Sequence, residues 1–89
     1  MGKMKEQMPK ENFDFNINIG KCLFNQRRML GISQETVASK ISMVRQGVSE
    51  LELGNRNCTL YNFYLLIHEL NISEETVIEL LFDRKFLPK

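Results

Sequence analysis

At 89 residues and 43% hydrophobic content, the chain can fill one modest core but not the walls of a deep catalytic cleft. Its net charge of +1 hides an uneven distribution. Residues 20–57 hold six cations against three acids, residues 58–89 hold three against five, and residues 1–19 balance at three each, so the positive surplus lies mid-chain.

In chain order, "MGKMKEQMPKENFDF" lacks the apolar stretch of a signal peptide. No run anywhere approaches the roughly 18 apolar residues of a membrane span. The expectation is a cytoplasmic chain without membrane contact. This opening mixes charges, Met, Asn and Pro9 without a period, so residues 1–15 are expected to form a flexible arm. Residues 16–83 then read as one helical domain, and residues 84–89 as a C-terminal tail.

Ile19, Leu23 and Leu30, with Cys22 and Phe24 nearby, predict a first helix over about 17–30, ended by Gly31. Ser33 caps a second helix, "SQETVASK", in which Val37 and Ile41 face inward and Ala38 is small. After the turn "ISM" comes a third helix, with Val44, Val48 and Leu51 at i, i+4 and i+7 on one buried face and Gly54 as its stop. Gly47 inside this helix costs about 1 kcal/mol relative to alanine. It is expected to relieve crowding against the second helix. Thr59 caps a fourth helix with Leu60, Phe63, Leu66, Ile67 and Leu70 at 3/4 spacing. Ser73 with Thr76 caps a fifth, with Val77, Ile78, Leu81 and Phe82 as its apolar face. No segment alternates with period two, so the fold class is all-α: a compact five-helix domain.

Cys22 and Cys58 are far apart and lack C-x-x-C or His neighbours, which argues against a zinc site. A disulfide between them stays open from sequence; the adopted reading is two reduced, mostly buried thiols. His68 is the sole histidine, with no Ser or Cys at nucleophile spacing. No phosphate-cradling Gly loop or paired carboxylate motif appears, so no catalytic residue, cofactor or small-molecule substrate is expected.

Two short helices joined by a tight turn, with Val37, Ile41, Met43, Val48 and Leu51 apolar and Ala38 small, fit helix-turn-helix geometry. The outer face of the second of the pair would then be free to enter a major groove. A plain helical hairpin would share that spacing. The stretch "RRMLGISQETVASKISMVRQGVSELELGNRNCTLYNFYLLIHELNIS" resembles the lambdoid-repressor and Cro-type (Xre) helix-turn-helix family, with the likeness running from Asn18 to Leu81. It is carried by Arg27, "GISQE", "VASK", "VSELELG" and "NRN" before a capped helix. Within the family, "NINIGKCLFNQRR" and "GNRNCTL" resemble the controller proteins of restriction–modification systems, although size and helix count also suit small phage-type repressors.

The resemblance implies a lambda-repressor-like fold and a transcriptional regulator that binds double-stranded DNA at an inverted-repeat operator as a homodimer. It places Gln34 at a phosphate, and Arg45, Gln46 and Glu50 at base edges with Ser49 between them. Arg56, Asn57 and Thr59 would grip the DNA backbone, and Arg27 and Glu52 would form an internal salt bridge. Arg45 would suit guanine and Gln46 adenine, while Glu50 would accept from cytosine N4 or tether Gln46 or Arg45. Three departures stand out. Val44 replaces a capping Ser or Thr, so Ser42 caps the third helix or no cap exists. Ser42 replaces a turn glycine, and Cys58 a common proline. Val77, Ile78, Leu81 and Phe82, followed by Phe86 and Leu87, offer more apolar surface than one terminal helix buries, and are the expected dimer interface. The competing reading is an antitoxin or anti-repressor type protein-interaction module with a residual helix-turn-helix, which the low net charge favours.

Overall fold

The computed structural model describes residues 8–88. Five α-helices appear there and no strand: α1 (Lys10–Leu30), α2 (Gln34–Lys40), α3 (Arg45–Leu53), α4 (Leu60–Glu69) and α5 (Glu74–Phe82), followed by a 3-10 turn over Arg84–Phe86. The core gathers Ile19 and Leu23 from α1, Val37 and Ala38 from α2, Val48 and Leu51 from α3, Phe63 and Leu66 from α4, and Leu80 from α5. Ile41, Leu70 and Ile72, at or just past helix ends, complete it.

Local chemistry accounts for most boundaries. Ser33, Thr59 and Ser73 each accept a bond from the backbone N–H three residues on, at 3.1, 3.0 and 3.2 Å. Gly31 and Gly54 close α1 and α3 at φ of 71° and 77°, in the left-handed region that L-residues with a Cβ resist. The turn between α2 and α3 uses the same closure without glycine: Ser42 takes φ 55° and the Met43 N–H reaches the Ala38 carbonyl at 2.9 Å. No side chain caps α3, because Val44 stands at its N-cap and Ser42 is committed to the turn.

Apolar spacing misplaced several residues. The first helix begins at Lys10, not near 17, so residues 10–15 of the expected arm are helical; residues 1–7 lie outside the described residues. Pro9 precedes the first turn, Lys10 pairs with Asp14 at 2.7 Å, and amide contacts from Asn12 and Asn16 anchor the extension. The expected tail is folded as far as Phe86, whose ring meets Phe15 edge-on at 5.8 Å. Val44 and Leu60 are exposed rather than on buried faces, because each sits at a helix start with its side chain outside the packed stripe. On α5 the fully buried residue is Leu80, and Val77 is half-buried against the core rather than part of a free face.

One close approach positions α3. A Cβ on Gly20 would overlap the Glu52 carbonyl oxygen and stand 2.5 Å from that of Leu51. The α1 backbone therefore lies against the last turn of α3, a contact only glycine permits.

Candidate nucleic-acid interface

The α2–turn–α3 unit sits on α1 with the inner side of α3 buried through Gly47, Val48 and Leu51. At about 100° per residue, the outward side of α3 carries Arg45, Gln46, Ser49 and Leu53, flanked by Glu50 on one edge and Glu52 on the other. Arg45 and Gln46 are exposed, and their side chains have no partner among the described residues. Ser49 is half-buried. It borders a groove shared with Ile17, Lys21, Phe24, Gln34, Glu52 and Leu53. Beside this lies a shallow polar depression formed by Arg27, Ser33, Gln34, Glu35 and Arg45.

Arg27 and Glu52 form the brace beneath this face. Arg27 Nε and Nη2 donate to the two Glu52 carboxylate oxygens at 2.6 and 3.1 Å, and Nη1 donates to the Ile32 carbonyl at 2.9 Å. The Glu52 side chain is 5% exposed. Its hydrogen bonds hold the Arg27 guanidinium above its ordinary pKa, against the opposing effect of burial. The fork joins the end of α1 to the last turn of α3 and neutralises a charge that would otherwise be stranded.

Gln34 is drawn into the same brace, donating from Nε2 to Glu52 Oε1 at 2.9 Å, so its amide nitrogen is engaged inside the protein. Asn57 is likewise occupied. Its side-chain oxygen accepts from Asn12 and Asn16 at 3.0 and 2.9 Å, tying the loop after α3 to α1. The Thr59 hydroxyl caps α4. Glu50 tethers neither Gln46 nor Arg45; its partner is Arg56, at 3.3 Å. Gly47 relieves crowding, but against Met43 and Arg56 rather than α2.

Three contributors were missed by sequence reasoning. Lys21 stands exposed at the rim of the groove beside Ser49. Gly20 sets how closely α1 approaches α3. The amides of Asn12 and Asn16 hold Asn57 in place. Only the repeated Asn in "ENFDFNIN" signalled the last of these, since it is unusual chemistry for an unstructured arm.

Elsewhere, Cys22 and Cys58 are free and half-buried. Burial pushes the Cys58 thiol up to about 11, partly offset by nearby Arg56, and raises Cys22 as well. His68 is exposed and meets the Tyr64 ring edge-on at 5.0 Å. Among the described residues no helix is long and apolar enough to cross a membrane. Compared with models of known protein families and with curated proteins, the chain matches none.

Proposed function

We propose that this chain is a sequence-specific DNA-binding transcriptional regulator that binds an inverted-repeat operator as a dimer. The observation that carries the reading is the split of α3: one side buried, the other presenting Arg45 and Gln46 with no partner among the described residues. Long side chains with bidentate capacity, exposed at the N-terminal end of a helix backed by a second helix and a tight turn, suit base edges in a major groove. The resemblance to the Xre helix-turn-helix family points the same way, and a restriction–modification controller is the narrower form of the proposal. Arg45 and Gln46 read bases and Ser49 sits between the reading face and the α1 groove.

The test is selection of bound sequences from a random duplex pool, repeated with Arg45→Ala. Loss of a bidentate base contact should cost about 1–3 kcal/mol on the selected site and relax preference at one position. Equal losses on selected and random DNA would reduce Arg45 to a phosphate contact and remove the reading role.

One observation favours a protein-interaction module instead: Gln34 and Arg56, both expected to face DNA, already have carboxylate partners. A salt titration on random duplex separates the two readings, because a DNA binder weakens steeply as salt rises.

A further inference from the structure

We propose that the groove between α1 and α3 docks an acidic segment of a partner protein through one bulky apolar side chain, in a position that blocks the outward face of α3. The docking site stands apart from the DNA-binding reading; only its blocking effect rests on that reading.

The groove follows from two helical spacings. Ile17, Lys21, Phe24 and Arg28 stand at i, i+4, i+7 and i+11 along α1, so they share one face. Ser49, Glu52 and Leu53 share an edge of α3. Ile17, Phe24 and Leu53 line the groove together with Lys21, Gln34 and Ser49. Its volume is about 380 Å³, in the lower part of the roughly 300–1,000 Å³ range of ligand sites, which suits one Leu or Phe side chain and the backbone beside it. Phe24 is 38% exposed and Leu53 63%. A contiguous apolar patch rimmed by polar groups marks an interaction surface, where a single exposed apolar side chain would mark nothing.

A DNA duplex leaves this patch unexplained. Its backbone and base edges are polar apart from the thymine methyl. A recognition helix reads with its N-terminal residues, whereas Leu53 ends α3, about two turns beyond Arg45. An apolar protein side chain fits the patch directly.

Charge sets the character of the partner. The carboxylate in the lining, Glu52, is 5% exposed and neutralised by Arg27. Asp14, one turn before Ile17, is matched by Lys10 at 2.7 Å. Lys21 is exposed and has no partner among the described residues. Arg28, also exposed, holds its guanidinium 5.5 Å from the centre of the Phe24 ring. Arg45 adds its charge from the adjoining depression, where Glu35 is the opposing acid. The patch is thus apolar at its centre and cationic at its rim, the complement of an apolar side chain flanked by Asp or Glu. The groove that Leu81 shares with Phe86 and Leu87 has the opposite character, with Glu11 and Asp83 in its lining. Ser49 belongs both to the α1–α3 groove and to the outward face of α3, and Gln34 both to the groove and to the depression beside Arg45. A segment seated here therefore occupies space that a duplex would enter.

The probe is a capped pentapeptide with phenylalanine between two pairs of acidic residues, titrated into the full chain and followed by NMR. Its ring should give intermolecular contacts to Phe24 and Leu53 and none to Leu81. Serine in place of the peptide's phenylalanine, or lysines in place of its acids, should remove them. Lys21→Glu should weaken binding about tenfold or more, because it sets like charges against each other, and Lys21→Arg should bind as wild type does. Leu53→Ser should remove the contacts. Both positions are exposed, and matching thermal melts check that the variants keep the fold. A lysine peptide that binds as tightly, a Lys21→Glu protein with wild-type affinity, or no contact at Phe24 and Leu53 overturns the proposal. The same contacts made instead to a second copy in a mixed-labelled sample, or to a duplex selected by the wild type, would give the groove to those occupants and overturn it as well. Peptide and labelled duplex should exclude each other, and their simultaneous binding overturns the blocking. A wild type that binds no duplex fails the DNA-binding reading, while the docking site still stands or falls on the peptide contacts.

Discussion

Arg27 and Glu52 show how a charged pair can be structural in a protein read as binding a polyanion. Both side chains are nearly inaccessible, and both carboxylate oxygens are taken by the guanidinium. The expectation of an internal brace rested on family resemblance alone, since nothing in the spacing of positions 27 and 52 requires contact. Removing one partner of a buried pair leaves the other charge without compensation, at a cost of about 3 kcal/mol. Arg27→Ala should therefore lower the melting temperature by more than about 10 °C, given roughly 4–8 °C per kcal/mol in a domain this small. DNA affinity measured well below that temperature should fall only as far as unfolding explains. Unchanged melting with lost binding would instead make Arg27 a DNA contact. Gln34 teaches the converse lesson. The family resemblance places it at a phosphate; in the structure its amide nitrogen also reaches and donates to a buried carboxylate, and sequence spacing does not reveal that reach.

Among the helices, what was legible in the sequence was local. Ser33, Thr59 and Ser73 bond within three residues of themselves, and Gly31 and Gly54 stop helices through their own φ, so a short window contains the whole cause. The start of α1 was not legible because its support is distant: Asn12 and Asn16 bond Asn57, and Phe15 meets Phe86. Apolar residues at 77, 78, 80, 81 and 82 surround α5 too evenly for spacing to choose Leu80 as the buried one. Among the four helices from α2 to α5, α3 alone lacks a side-chain cap. Val44 at its N-cap is exposed and already has the extended backbone of a capping residue, at φ −79° and ψ 153°. Val44→Ser should then supply the missing acceptor without opening a cavity, stabilising the fold by about 1 kcal/mol. A thermal melt should rise by roughly 4–8 °C. An unchanged or lower midpoint would show that the first turn of α3 is satisfied by other means.

For the whole molecule, the open question is what covers α5. Its inner edge is Leu80, with the half-buried Val77 packed beside it. Ile78, Leu81 and Phe82 remain 55%, 47% and 78% exposed. They continue into Leu60 and Leu87, both also exposed. Leu81 is central, bordering one groove with Phe15, Cys58 and Leu60 and another with Phe86 and Leu87. Burying a Leu or Phe side chain contributes about 1.5–3 kcal/mol, and a two-fold interface uses each residue twice. The inverted-repeat proposal requires a second copy docked there to hold the two α3 helices at half-sites about 10 base pairs apart, one turn of DNA or roughly 34–36 Å. Leu81→Asp puts a charge in the middle of this face while leaving the Leu80 side untouched. It should yield a folded monomer by sedimentation, with greatly weakened binding to the inverted repeat. A wild type that sediments as a monomer at concentrations far above its DNA affinity would defeat the dimer. A Leu81→Asp protein that remains dimeric would move the interface off α5, and Leu60 with the neighbouring Phe15 would be the next positions to change.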